Sequence, residues 1–111
     1  MTNLCEQLGI SKCPNADTAI KQIERSIVSE IYLAGCDIVD RAMASKTGKI
    51  LSVYREGVDV LAPADRLTLC ILIFESGFIM TGESIVKDAE KFDVNKGREY
   101  ARADAIRKIL A

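Results

Sequence analysis

Histidine is absent from all 111 residues, which removes the usual general base of hydrolases and the usual nitrogen ligand for a metal. No serine sits in a Gly-x-Ser-x-Gly elbow, so catalysis would have to rest on carboxylates or a lone thiol. The chain is read as a non-enzyme. The four cysteines, Cys5, Cys13, Cys36 and Cys70, stand far apart with no close pair, a spacing that suits idle thiols in a reducing compartment better than a zinc site or a disulfide framework. No cofactor or metal is expected. The start of the chain shows no positive flank followed by an apolar core, and no apolar run reaches membrane-spanning length, so a cytoplasmic protein without a membrane partner is expected. A surplus of basic residues is missing as well. The formal charge is −1, which argues against a DNA or RNA polymer as partner and requires any anion site to be local.

What is present is apolar: 49% of residues are hydrophobic and 28% charged, a balance that reads as one globular domain over residues 1–111. A chain this short buries only about two-thirds of its unfolded surface, and its apolar residues cluster in runs that a monomer would struggle to cover. Association between copies is expected. Pro14, Asn15 and Asp17 mark a helix start, and Ile20, Ile23, Ile27, Ile31, Ala34, Ile38 and Ala42 recur at three- and four-residue steps. That spacing predicts one long N-terminal helix to about Ala44, bent or divided at Gly35, with Ser45-Lys46-Thr47-Gly48 closing it. A strand pair follows at Ile50–Tyr54 and Val58–Leu61 around an Arg55-Glu56-Gly57 turn, then a connector at Ala62-Pro63-Ala64-Asp65. Leu67–Phe74 is the strongest strand, since it carries no charge and must be covered on both faces. Glu75-Ser76-Gly77 turns it into Phe78–Glu83, where Phe78, Met80 and Gly82 face one way and Ile79, Thr81 and Glu83 the other. A C-terminal helix from about Asp93 to Leu110 buries Ala101, Ala105, Ile106 and Ile109, with Asp93 as its cap and Gly97 placed for a close approach. The fold class is α+β: a long N-terminal helix, a small antiparallel sheet of about four strands built from hairpins, and a C-terminal helix.

Two motifs of local sequence reduce to turns and caps. Asp93-x-Asn95 with Gly97 lacks the glycine position and terminal Glu of a calcium loop, and Lys46-Thr47-Gly48-Lys49 lacks the spacing of a phosphate-binding loop. What remains is a set of arginines and one aromatic near tight turns: Arg25, Arg55, Phe78, Arg98 and Arg102. Guanidinium forks make charge-assisted pairs with phosphate oxygens, and a ring face can stack on a nucleobase. The plainer reading places Phe78 in the core and pairs the helical arginines with Glu24, Glu99 or Asp104 on a solvated surface.

The residues Thr68–Phe74, Ser76-Gly77-Phe78, Thr81-Gly82-Glu83-Ser84, Phe92-Asp93, Gly97-Arg98, Ala101-Arg102 and Ala105-Ile106-x-Lys108-Ile109, with Ile23-Glu24 and Ile27-Val28-Ser29-Glu30 before them, resemble a family of small bacteriophage proteins of early phage genes. That family is similar to the one that includes the first class of Thoeris anti-defence proteins, sponges that sequester cyclic nucleotide immune signals. The resemblance spans roughly residues 20–110. It implies a homo-oligomer, a hexamer of dimers and trimers, that binds glycocyclic ADP-ribose between protomers in the cytoplasm of the infected host and holds cyclic di- or trinucleotides at a separate site. It further implies that Phe78 stacks on the adenine, that Arg25, Arg98 and Arg102 hold phosphates, that Thr81 adds a hydrogen bond, and that Arg55 serves the second site. The chain departs from many relatives in ending at Ala111 without a Trp-containing tail and in a longer Ile31–Leu61 stretch, which favours the sponge subgroup. The competing expectation is an interaction protein that grips a host protein through its long helix.

Overall fold

The computed structural model describes residues 16–110. Cys5, Cys13, Pro14 and Asn15 lie outside the described residues. Helix α1 (Ala16–Ser26) leads directly into strand β1 (Ile27–Ala34), helix α2 (Gly35–Ala44), strand β2 (Leu67–Phe74), strand β3 (Ile79–Ile85) and helix α3 (Val94–Leu110), with 3-10 turns at Ala62–Arg66 and Ala89–Lys91. The sheet is antiparallel, in the order β1-β2-β3. The architecture is therefore α+β, as the sequence predicts, with two corrections.

The first correction concerns the long helix, which stops at Ser26 and gives way to a strand. The Ser26 hydroxyl donates back to the carbonyls of Ile23 (2.9 Å) and Gln22 (3.2 Å), while the Ser26 carbonyl accepts from the amide of Glu75 (2.9 Å) in the β2–β3 hairpin. Beyond it Ile27, Val28, Ile31 and Tyr32 are β-branched or aromatic, and β2 needs a hydrogen-bonding neighbour on each side. That demand outweighs the helical spacing of the isoleucines. The second correction concerns the strand count, which is three among the described residues. Ile50–Tyr54 and Val58–Leu61 do not pair. An isolated two-stranded hairpin is marginal without a layer to pack on, and residues 51–60 are all exposed. The turn within this segment does form, with Gly57 at φ 73° and the Val58 amide donating to the Arg55 carbonyl at 3.1 Å.

Strand β2 alternates strictly: Thr68, Cys70, Leu72 and Phe74 are buried against α3, while Leu67, Leu69, Ile71 and Ile73 lie on the opposite face and are only half-buried. With Ile23 of α1 and Ala101, Ala105, Ile106 and Ile109 of α3, the inner face forms the core. The helix comes unusually near the sheet because small residues meet there. A Cβ on Gly82 would lie 2.1 Å from the Ala101 carbonyl oxygen and 2.4 Å from the Ala105 nitrogen, and one on Gly97 would lie 2.6 Å from the Thr68 hydroxyl. At the other end of the β1–α2 connection, Gly35 meets the backbone of Ala64 in the same manner.

Asp104 ties α3 to β3. Its carboxylate accepts the Glu83 amide at 3.0 Å and pairs with Arg107 and, at 3.2 Å, with Lys108. The Glu83 amide above all, helped by these two cations, holds the carboxyl well below the usual carboxylate range. A carboxyl depressed in the folded state stabilises the fold above its unfolded value of about 4, and that contribution is lost as pH falls through the lower folded value. Asp104→Asn should therefore flatten the loss of stability below about pH 4. Urea midpoints measured at neutral pH and at two acid pH values check this; an unchanged acid slope would place the linkage elsewhere.

Candidate functional site

Successive turns of α3 carry Arg98 and Arg102 along the side of the helix that faces the edge strand β1. Arg102 is committed to carboxylates, with its Nη2 3.1 Å from Glu24 of α1 and its Nε 2.8 Å from Glu30 of β1. Glu30 in turn accepts the Tyr32 hydroxyl at 2.6 Å. The Tyr32 bond, then Arg102, hold the Glu30 carboxyl below its ordinary value despite burial. Burial, then the Glu30 carboxylate, push the Tyr32 phenol up, so Tyr32 stays protonated at neutral pH. Burial lowers the Arg102 value, but the two carboxylates outweigh it and the guanidinium is raised. The result is a relay of fixed polarity, from Glu24 through Arg102 and Glu30 to Tyr32.

Arg98 sits at the end of that relay, and among the described residues it has no carboxylate partner. Its guanidinium lies over the Tyr32 ring, 6.0 Å from the centroid, a cation–π contact in which the ring face meets part of the charge. Together with Tyr32, Leu33, Ala34, Asp37, Thr68, Phe92 and Val94 it lines a hollow of about 210 Å³ where the end of β1 meets the start of α3. The Asp93 carboxylate caps α3, accepting from the amides of Asn95 (2.9 Å) and Lys96 (3.2 Å), which uses part of the donor set at that terminus. Asp37 is the one acidic group on the wall, and it is engaged with the Ala34 amide at 3.4 Å. On the other side of the same helix start, Lys91, Lys96 and Tyr100 border a smaller hollow of about 150 Å³. A third, of about 270 Å³, is walled by Asp40, Asp59 and Asp65 with no cation, which disfavours an anion. The Arg98 hollow is the candidate site.

The six residues singled out from the sequence do not meet within one chain. Arg98 lines the hollow, and Arg102 lies one turn away, held by Glu24 as the plainer reading expects. Phe78 is at the opposite end of the sheet, half-buried against Phe74 with ring centroids 6.0 Å apart, so it serves the core of its own chain. Arg25 is exposed in the last turn of α1. Thr81 is on the outer face of the sheet opposite Ile71, and its backbone carbonyl accepts from Lys108 Nζ at 3.2 Å. Arg55 projects at the turn of the 45–61 segment. The sequence reading did not single out Tyr32 or Glu30 because both fall in the stretch taken for helix; their strand alternation, Glu30 and Tyr32 two apart on one face, was the available signal. Among the described residues no group of three His, Cys, Asp or Glu side chains could hold a metal, and no helix is long and apolar enough to cross a membrane.

The family model described as "Phage protein (N4 Gp49/phage Sf6 gene 66) family" matches residues 18–111, and the chain belongs to that family. No curated protein and no solved structure matches the chain.

Proposed function

We propose, from the resemblance of its motifs to the Thoeris anti-defence proteins and from the Arg98 hollow, that this phage-family protein is an anti-defence sponge. It binds cyclic nucleotide immune signals, glycocyclic ADP-ribose and cyclic di- or trinucleotides, without cleaving them, and so blocks Thoeris and CBASS immunity in the host cytoplasm. The observation that carries the reading is Arg98: a guanidinium held over an aromatic ring, lining a hollow, with no ion pair among the described residues. A phosphate would find a planar donor already oriented, and Tyr32 and Phe92 offer ring surface to a base.

Affinity without turnover is what this equipment favours. A nanomolar dissociation constant needs about −12 kcal/mol, which a few pre-placed charge-assisted bonds and a stacked base can supply only when water is excluded. At about 210 Å³ the hollow is below the roughly 300–1,000 Å³ of ordinary ligand sites. It has room for part of a dinucleotide, so the reading requires a second copy to complete the enclosure. Arg102 could then contribute too, since a half-exposed pair with Glu24 is worth about 1 kcal/mol or less and a doubly charged phosphate competes with it. The reading as a host-binding protein loses its long helix, because α1 ends at Ser26.

The test is capture and release. Purified protein is incubated with glycocyclic ADP-ribose or a cyclic trinucleotide, the protein is removed by filtration, and the retained fraction is heated. A depleted filtrate with intact nucleotide released on heating is expected. A cleaved product would make the protein an enzyme, and an undepleted filtrate for every nucleotide would favour the interaction protein.

A further inference from the structure

Two apolar surfaces of this chain are left uncovered at once. One is the outer face of the sheet, where the register sets Ile31 beside Ile71 and Thr81, Leu33 beside Leu69, and Ile73 beside Ile79, with Leu67 beside Ile85 at the end. Ile31, Ile79 and Ile85 are 41%, 56% and 69% exposed, and no helix among the described residues lies over them. The other is the arm formed by residues 45–61, which pairs with no strand and shows Leu51, Val53, Tyr54, Val58 and Val60 to solvent. The arm meets the body near its two ends, where Gly48 lies close against Ala42 of α2 and Asp59 and Leu61 wall a hollow with Cys36 and Met43, while residues 51–58 between them are exposed.

We infer that the arm of one copy lies across the outer sheet face of a second copy, and that the exchange is reciprocal. Area argues for it. At about 60–120 Å² for each large apolar side chain, these eight residues present roughly 800 Å² per chain, the share that each partner contributes to a standard stable interface. Neither surface alone reaches the figure; the two together do, and a two-fold arrangement buries both on both chains. The arm's own backbone is bonded locally, Ser45 to Arg41 at the end of α2 and Val58 to Arg55 at the turn, and its apolar side chains come with no layer of their own. Its tip carries Arg55, so exchange brings a cation of one copy to the outer face of another, where Thr81 stands. The inference does not depend on any nucleotide.

The experiment places a photo-crosslinking benzophenone side chain at Val53 in protein of natural isotope content, mixes it with uniformly ¹⁵N-labelled protein lacking the probe, irradiates, and maps the linked peptides by mass spectrometry. Expected are links from the arm to ¹⁵N peptides containing residues 67–73 or 79–85. Links confined to the arm's own chain, or links between chains that avoid the sheet, would overturn the inference. A monomer in which the probe captures nothing would also overturn it and assign both surfaces to a partner of different sequence. A second variant guards against ambiguity: Leu51→Glu with Val53→Glu alters exposed positions only, so its circular dichroism should match the parent while light scattering reports a monomer. An undiminished oligomer in that variant would contradict arm exchange.

Discussion

Gly82→Val is expected to leave no folded protein at room temperature, and Gly82→Ala to lower stability by about 3 kcal/mol or more, the upper end of what overpacking costs. The first atoms a Cβ would meet are the Ala101 carbonyl oxygen at 2.1 Å and the Ala105 nitrogen at 2.4 Å, both in the backbone of α3. A flexible side chain could swing aside; a helix locked by its own hydrogen bonds must move as a body, opening the contacts of Ala101, Ala105 and Ile109 with the sheet. Small domains hold only about 5–15 kcal/mol in total, so the alanine variant forfeits a large fraction and the valine variant exceeds the margin. Gly35 has a still shorter approach, 1.7 Å to the Ala64 oxygen, but its neighbour is a 3-10 turn at the edge of the molecule that can yield. Gly35→Ala should therefore cost less than Gly82→Ala. Urea unfolding of both alanine variants decides the order, and a reversed ranking would show that the turn is more firmly held than the helix.

Arg98→Ala is expected to weaken capture of glycocyclic ADP-ribose on the order of 100-fold while leaving the urea midpoint within experimental error. Truncating one side of a desolvated charge pair costs about 2–5 kcal/mol, and about 2.8 kcal/mol corresponds to that factor. Stability should not respond, because Arg98 is exposed and has no ion pair among the described residues, its guanidinium lying over the Tyr32 ring. Arg102→Ala should do the reverse in part: it frees Glu24 and Glu30 from their shared cation and disturbs β1 as well as binding. Arg98→Lys separates charge from shape, since an ammonium keeps the charge but cannot present a planar fork over Tyr32. Binding by Arg98→Lys close to that of Arg98→Ala would assign the contribution to the fork. Parent-level capture by Arg98→Ala would remove the hollow as the site.

The parts of the fold that the sequence disclosed are those governed by local chemistry. Gly77, at φ 87°, turns β2 into β3 where a left-handed residue was required; the Asp93 carboxylate caps α3; and the stripe Ala101, Ala105, Ile106, Ile109 is buried as its spacing predicts. The parts it concealed depend on distant neighbours. Ile27, Ile31 and Ala34 fit a helical repeat, and only the need of β2 for a second edge partner draws them into β1. Residues 50–61 carry strand-like composition, but among the described residues no layer holds them flat. The site was legible to the same degree. Arg98 and Arg102 are four apart and do share one side of α3, yet nothing in their spacing says that Arg102 meets two carboxylates and Arg98 none. Phe78 had two readings from the start, and within one chain it packs against Phe74.

The central claim is that the chain holds a cyclic nucleotide intact in a hollow that one copy only half encloses. Titration calorimetry with glycocyclic ADP-ribose on the parent protein and on the Leu51→Glu, Val53→Glu variant tests it most directly. Nanomolar binding by the parent is expected, with the nucleotide recovered unchanged, and at least a 100-fold weaker constant once the copies are separated, the equivalent of about 2.8 kcal/mol. Equal affinity in a verified monomer would contradict a shared enclosure, and no heat of binding in the parent would contradict the sponge itself.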